Sequence, residues 1–307
     1  MAREQINVAA SIRAHLKNLA KEQQVSFQHL LTRFALERFL FRLSVSPYKH
    51  IFILKGAMLY AAWLPDPFRA TRDIDLLSLE NRGTEYLLDA IRTICAQPVI
   101  DDGLRFDTDD IRSNLFSVGK IDGTFRVRTS AQLGSANIPI QIDIGFGDSV
   151  TPEVQKINYP VLLNQPKPNL YAYPRETVIA EKFEAIVSLD LANSRMKDFY
   201  DLLAMLRLFN FDGATLVSAI QTTFEKRATS IPRETPPCLT SAFSKNSQTL
   251  NQWRSFLTRD GLLIDEPDLH TVIREIRDFI MPAALTAIDD RRNLGHWKSN
   301  RNWTLTS

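Results

Sequence analysis

The sequence predicts an α+β protein: an N-terminal α/β half built on a mixed sheet, followed by a helical C-terminal half. Three observations carry that prediction. Strand-like runs crowd residues 104–144, in LRFDTDDIRS, FSVGKIDGTFRVRTSAQLG and IPIQIDIGF. Helical apolar spacing fills the N-terminal stretch and returns after Pro174. Between the halves, residues 152–174 are proline-rich and read as irregular. The expected domains are residues 1–165 and 166–307.

Taken in order, Val8, Ile12, Leu16 and Leu19 recur at helical spacing, so the chain opens on a helix. Ser26 is placed to cap a second helix, FQHLLTRFALERFLFRLS, with Leu30, Leu31, Phe34, Phe39 and Leu43 on a broad apolar face. Ser46-Pro47 stops it. Residues 50–54 form a short apolar strand, Gly56 follows, and AMLYAAWL is helical. Pro65 and Pro67 mark a loop ahead of a strand around residues 73–77. Residues 84–95 read as an amphipathic helix, and Asp122-Gly123 as a hairpin turn. In the C-terminal half, helices are expected over 176–189, 197–209, 213–226, 247–259 and 269–288, interrupted by the linker ATSIPRETPPCLT.

The chain of 307 residues is long enough to bury a real core. Its 44% hydrophobic and 23% charged content is that of an ordinary globular protein. A formal net charge of +2 gives no bulk attraction for nucleic acid, although a local basic patch stays open. Cys95 and Cys238 are far apart and in neither metal nor redox spacing, as in a reducing compartment. MAREQINVAASIRAHLKN lacks an apolar core of signal-peptide length, and no apolar run is long enough to span a bilayer. A cytoplasmic protein without a membrane partner is expected.

The chemistry centres on RDIDLL. Side chains alternate faces along a strand, so Ile74 and Leu76 point to the core while Asp73 and Asp75 share the other face. Two like charges this close repel, and a divalent cation resolves the conflict, Mg²⁺ above all beside phosphates. In IPIQIDIGF, Ile140, Ile142 and Ile144 alternate with Gln141, Asp143 and Gly145, which puts Asp143 on a polar face too. Were the two strands neighbours, three carboxylates would converge, the arrangement for two metal ions clamping a phosphoryl transfer. A solvated edge strand also carries D-x-D. Gly56, between strand and helix, would let a phosphate reach backbone N–H groups, or would simply make a tight turn. Lys55 is a phosphate ligand or a snorkelling edge lysine. Arg69, Thr71 and Arg72 could neutralise phosphates or pair with the nearby acids.

A second constellation is YPRETVIAEKFEAIVSLDLANSRMKDFYDLLAML. Lys182 falls beside the apolar stripe of one helix, and Arg195, Lys197, Asp198 and Asp201 open the next. Asp198 and Asp201 can share a helical face, and acids early in a helix complement its dipole. Pattern alone favours that structural role. The functional reading makes Lys182 and Lys197 triphosphate contacts and Asp198 an active-site acid.

FILKGAMLYAAWLPDPFRATRDIDLL, IPIQIDIGFGD and YPRETVIAEKFEAIVSLDLANSRMKDFYDL, in that order and with LLTRFALERFLFRLSVSP upstream, resemble the AbiEii/AbiGii toxin family of nucleotidyltransferases. The resemblance runs from about residue 12 to about residue 257 and places the chain in the DNA polymerase β-type nucleotidyltransferase superfamily. It implies a nucleotidyltransferase-like N-terminal domain and a helical domain completing the active site. The family signature is Gly-Ser or Gly-Gly, a spacer, then Asp-x-Asp. Here the pair is Gly56-Ala57, which loses a hydroxyl, and the spacer is long.

By resemblance, Asp73, Asp75 and Asp143 hold metal, two Mg²⁺ ions in the expected reaction. Lys182 matches a helical lysine and Asp198 a late essential acid. Asp73, Asp75, Lys182 and Asp198 are then the catalytic set. Lys55, Gly56, Arg69, Thr71, Arg72, Lys182, Arg195 and Lys197 handle the NTP. The implied biology is a toxin of a toxin–antitoxin or phage-defence system, with a winged-helix antitoxin as partner. The leading acceptor is the 3′ end of tRNA, whose modification would stop translation and growth.

Competing readings are nucleotidylation of a protein, a metal-dependent nuclease, and a non-catalytic RNA- or protein-binding module. A basic groove lined by Arg126, Arg128, Lys182, Arg195 and Lys197 is the expected RNA surface. The terminal RRNLGHWKSNRNW, with Trp297 and Trp303, is read as a frayed terminus in preference to a base-stacking one.

Overall fold

The computed structural model describes residues 7–64, 71–80, 82–116, 123–258, 268–289, 294–299 and 302–304. Arg69, Pro65, Pro67, Asp122, Arg291, Arg292 and Arg301 lie outside these residues. The chain forms two compact units, Met1–Gly147 with Gln155–Ala172, and Asp148–Val154 with Tyr173–Ser307.

The first unit begins with helices α1 (Val8–Glu22) and α2 (Phe27–Val45). Asn7 caps α1 by accepting a hydrogen bond from the Ala10 N–H at 3.0 Å. Ser26 does stand at the N-cap of α2 in extended backbone, but its side chain makes no capping hydrogen bond. Strands β1 (Phe52–Lys55) and β2 (Asp73–Ser78) are separated by a 3₁₀ turn, Gly56–Met58, and the short helix α3 (Leu59–Trp63). Helix α4 (Thr84–Ala96) precedes strands β3 (Leu104–Phe106), β4 (Arg112–Phe116), β5 (Thr124–Leu133) and β6 (Ala136–Phe146). Strands β7 (Gln155–Asn158) and β8 (Asn169–Ala172) lie in the stretch expected to be irregular. That expectation fails because β8 pairs in parallel with β1, far away in sequence, and β7 pairs with β8.

The sheet has eight strands, ordered β3-β5-β6-β2-β1-β8-β7, with β4 alongside β5. It is mixed: β2 and β6 are parallel, β1 and β2 antiparallel. Alternation is clear in β5, where Phe125, Val127, Ala131 and Leu133 are buried. Helix α2 packs on β6 and β8 and is buried nearly all round, beyond the apolar face that its spacing shows. Its polar residues meet distant partners. Arg42 grips Asp102 with two hydrogen bonds, at 2.6 and 3.0 Å. Glu37 accepts from the Leu162 N–H at 2.8 Å, and Arg38 donates to the Pro166 carbonyl at 2.8 Å. Those bonds fix the segment before β8 onto the helix, and β8 in turn borders β1, which leads to Gly56.

The second unit is helical: α5 (Arg175–Leu189), α6 (Met196–Leu208), α7 (Gly213–Lys226), α8 (Ser241–Lys245), α9 (Ser247–Leu257) and α10 (Leu269–Asp289). Helices α5, α6, α7 and α10 pack together. A small sheet joins β9 (Phe211–Asp212), β10 (His296–Trp297) and β11 (Trp303–Thr304). That sheet overturns the reading of the tryptophans as part of a frayed or base-stacking end. Trp297 donates to the Leu206 carbonyl at 2.7 Å, and Trp303 stacks on Phe279 with an interplanar angle of 3°. Among the described residues no helix is long and apolar enough to cross a membrane.

Candidate active site

Strand register builds the site. Lys55 on β1 faces Asp75 on β2, Asp75 faces Asp143 on β6, and Asp143 faces Arg126 on β5. Residues in register point to the same side of a sheet. Four neighbouring strands therefore present one transverse row, Lys55–Asp75–Asp143–Arg126. The next row contains Asp73, Gln141 and Arg128. The apolar neighbours Ile74, Leu76, Ile142 and Ile144 are fully buried on the other side.

One oxygen from each of Asp73, Asp75 and Asp143 lies within 4.8 Å of the others. Each acid is held by a different device. The Thr71 hydroxyl donates to Asp73 Oδ1 at 2.8 Å. Arg126 clasps Asp143 through Nε and Nη2, both at 2.7 Å. That bonding holds the Arg126 guanidinium above its ordinary pKa. Asp75 sits against Gly56, whose φ is +71°. A Cβ built on Gly56 would lie 2.6 Å from the Asp75 Cγ and 2.7 Å from its Cβ. The glycine is required twice over, for its left-handed backbone and for the space Asp75 fills.

Three partly buried carboxylates at this spacing suit a hard divalent cation. The donors are all carboxylate oxygens, with no histidine or cysteine, which suits hard cations such as Mg²⁺, Ca²⁺ or Mn²⁺. Oxygens on one Mg²⁺ lie roughly 4 Å apart or less, so small side-chain adjustments suffice.

Lys182 on α5 extends to two acids of α6, bonding Asp198 at 2.9 Å and Asp201 at 2.7 Å. Asp198 and Asp201 are 1% and 0% exposed, so their charges need these partners. Arg195, just before α6, also reaches Asp198 through Nε at 2.8 Å, and the Asn193 side chain accepts from the Arg195 N–H at 2.7 Å. Lys197 is exposed. Asp148 pairs with Arg227, which also holds Glu181 and Glu184.

The structure thus brings Asp73, Asp75, Asp143, Lys55, Gly56 and Thr71 together in the first unit, with Arg72 exposed beside Asp73. Lys182, Asp198 and Arg195 form their own cluster in the second. Sequence reasoning missed the partners of Arg126 and Asp201 and left that of Thr71 open. Arg126 was assigned to an RNA groove but is bonded to Asp143, a pairing hidden in the alternation of Phe125, Arg126 and Val127. Thr71 bonds Asp73, the nearer of its two options. Asp201 is a full partner of Lys182, as its helical spacing from Asp198 allows.

Among known families, the one described as "Nucleotidyl transferase AbiEii toxin, Type IV TA system" matches residues 38–277. No curated protein matches significantly. Two solved structures are similar over most of the chain. A candidate nucleotidyltransferase from H. pylori is 16% identical, with a TM-score of 0.49, covering 87% of this chain and 97% of its own. JHP933 from Helicobacter pylori is 17% identical, with a TM-score of 0.48, covering 86% and 94%.

Proposed function

This chain belongs to the AbiEii nucleotidyl transferase toxin family, and on that premise we propose that it transfers a nucleotide from an NTP to the 3′ end of tRNA in a Mg²⁺-dependent reaction. NTP-dependent nucleotidyl transfer, and a toxin's place opposite an antitoxin, come with the family. The observation that supports a metal-dependent reaction is the convergence of Asp73, Asp75 and Asp143 within 4.8 Å, and the tRNA acceptor rests on the family resemblance.

When bound there, two Mg²⁺ ions supply charge neutralisation for the reacting phosphates and activate the attacking oxygen. The residues of the chain prepare that site. Thr71, Gly56 and Arg126 each hold one carboxylate in place, so little side-chain reorganisation is left for the reaction. Lys55, Gly56, Arg69, Thr71 and Arg72 surround the acids in sequence and meet the NTP phosphates. On the second unit, Asp198 positions Lys182 and Arg195, and these with Lys197 form a cationic cluster for phosphate groups of the substrates. The acceptor hydroxyl oxygen bonds to the α-phosphorus as the bond to the departing pyrophosphate breaks. A reaction consuming NTP and tRNA places the protein in the cytoplasm, with a winged-helix antitoxin as its partner.

The test is to incubate purified protein with Mg²⁺, cellular RNA and each labelled NTP in turn, beside Asp73→Ala and a chelator control. Label in a tRNA-sized band, lost in both controls, is the expected result. Label on protein alone would move the acceptor to a polypeptide. Shortened RNA without label would make the site a nuclease.

A further inference from the structure

We propose that a groove within the second unit, between the start of α6 and the exposed side of α9, binds the single-stranded end of an RNA. This rests on the RNA-acceptor reading and assigns it a second place of contact. The groove is a cavity of about 760 Å³, within the roughly 300–1,000 Å³ typical of ligand sites. One wall is Ser194, Arg195, Met196 and Lys197. The other is α9, which contributes Ser247, Gln248, Asn251, Gln252 and Ser255, with Phe256 at its base.

The lining chemistry selects the ligand. Among the described residues, two cations line the cavity and no acid does. The acid nearest in sequence, Asp198, is only 1% exposed and is bonded to Lys182 and Arg195. The α9 wall is uncharged: two hydroxyls and three amides, spaced three or four residues apart along two adjacent ridges. Amides offer donor and acceptor together, the pattern that reads base edges, and hydroxyls suit the 2′-OH of ribose. Arg195 and Lys197 then meet phosphodiesters.

The helix has its own reason to be rigid. Thr249, Trp253 and Phe256 are its buried residues, and Phe256 packs edge-on against Tyr200 of α6 at 5.4 Å. The polar ridges are therefore held at a fixed place beside Arg195 and Lys197. The five polar residues that α9 turns to the groove carry no charge, while its exposed Arg254 does not line it.

The experiment uses full-length protein and two variants at exposed α9 positions, the pair Asn251→Ala with Gln252→Ala, and Ser255→Glu. Fluorescence anisotropy reads the Kd for a labelled tRNA and for a short single-stranded RNA with the same 3′ end. Steady-state transfer reads KM for RNA and for NTP separately. Both variants should weaken RNA binding at least about fivefold and raise the KM for RNA, leaving that for NTP unmoved. Unchanged RNA affinity, with wild-type transfer to RNA intact, overturns the groove and spares the proposed function. A rise in the NTP KM alone would make the groove a nucleotide site and overturn the proposal. Should the wild type bind RNA through the groove yet label none, the groove stands and the transfer reading falls. A wild type that binds no RNA sinks both.

Discussion

Gly56→Ala isolates the physical claim on which the acidic site depends. Two costs follow from the structure. An alanine at φ +71° takes a left-handed backbone at about 1–2 kcal/mol. Its Cβ would also stand 2.6 Å from Asp75 Cγ, an overlap relieved only by shifting β2 or the turn, at about 1–3 kcal/mol. Together they amount to about 2–5 kcal/mol. Near the middle of that range, about 3 kcal/mol lowers the melting temperature of a unit of this size by about 6–12 °C.

The assay is thermal and urea denaturation, followed by circular dichroism in the absence of metal. A double-mutant cycle separates the two costs. The partner substitution must be Asp75→Gly, because the Asp75 Cβ itself lies 2.7 Å from the added methyl. In that background Gly56→Ala retains only the backbone cost, about 1–2 kcal/mol, so the two substitutions should couple by about 1–3 kcal/mol. Equal losses in both backgrounds would refute the packing argument. An alanine variant as stable as the wild type would refute both halves of it.

Other expectations follow from the same contacts. Arg126→Ala strips Asp143 of a bidentate partner. It should cost about 2 kcal/mol in chelator, and Mg²⁺ should restore a larger share of the melting temperature than in the wild type. Lys182→Met removes the ion pairs that Lys182 makes with Asp201 and Asp198, two acids that are almost fully buried. A loss of about 3–5 kcal/mol is expected by urea denaturation, partly recovered when Asp201→Asn is added. Burial pushes the Glu37 carboxyl from its ordinary 4.5 up to about 7. A raised folded-state value stabilises the protein below about pH 4.5, and that stability is lost as pH climbs through about 7. Glu37→Gln should therefore match the wild type at pH 5 and exceed it by about 3 kcal/mol at pH 8, read from urea midpoints. A gap that does not change with pH would refute the assignment.

What the sequence made legible was whatever depends on local periodicity. The alternation of Ile140, Ile142 and Ile144 with Asp143 placed that acid on the polar face, where it stands. The shared face of Asp73 and Asp75 was equally readable. Their convergence with Asp143 needed the pairing of β2 with β6, and no local pattern reveals which strands are neighbours. Arg126 illustrates the gap: its face could be inferred, its partner could not. The same limit hid β8, four residues long and paired with a strand more than a hundred residues earlier. Helix α2 hid its all-round burial because Glu37, Arg38 and Arg42 read as solvent-facing, and their partners are remote in sequence. Trp297 and Trp303 had no periodic context at all; both pack against Phe279 on α10, which buries Trp297 and covers part of Trp303.

The arrangement of charge separates the two acidic clusters that resemblance had joined in one catalytic set. In the second unit, Asp198 and Asp201 meet Lys182 and Arg195, two anions with two cations, closed by bonds of 2.7–2.9 Å. Within these bonds the charges balance, and a dication brought to the cluster would have to displace the part-buried Lys182. In the first unit, Asp73, Asp75 and Asp143 share a sheet face with Lys55, Arg126 and Arg128, three anions with three cations, but the acids are drawn together, one oxygen of each within 4.8 Å of the others. Like charges gathered this closely repel, so a divalent cation relieves a repulsion there, whereas the second cluster already alternates anion with cation. On the proposed function, Asp198 acts as a positioning residue through Lys182 and Arg195, and its role differs in kind from that of Asp73. Asp198→Asn should then lower transfer without changing the Mg²⁺ concentration at half-maximal rate, whereas Asp73→Asn should shift that concentration upward. Equal shifts in both variants would place Asp198 among the metal ligands and undo the distinction.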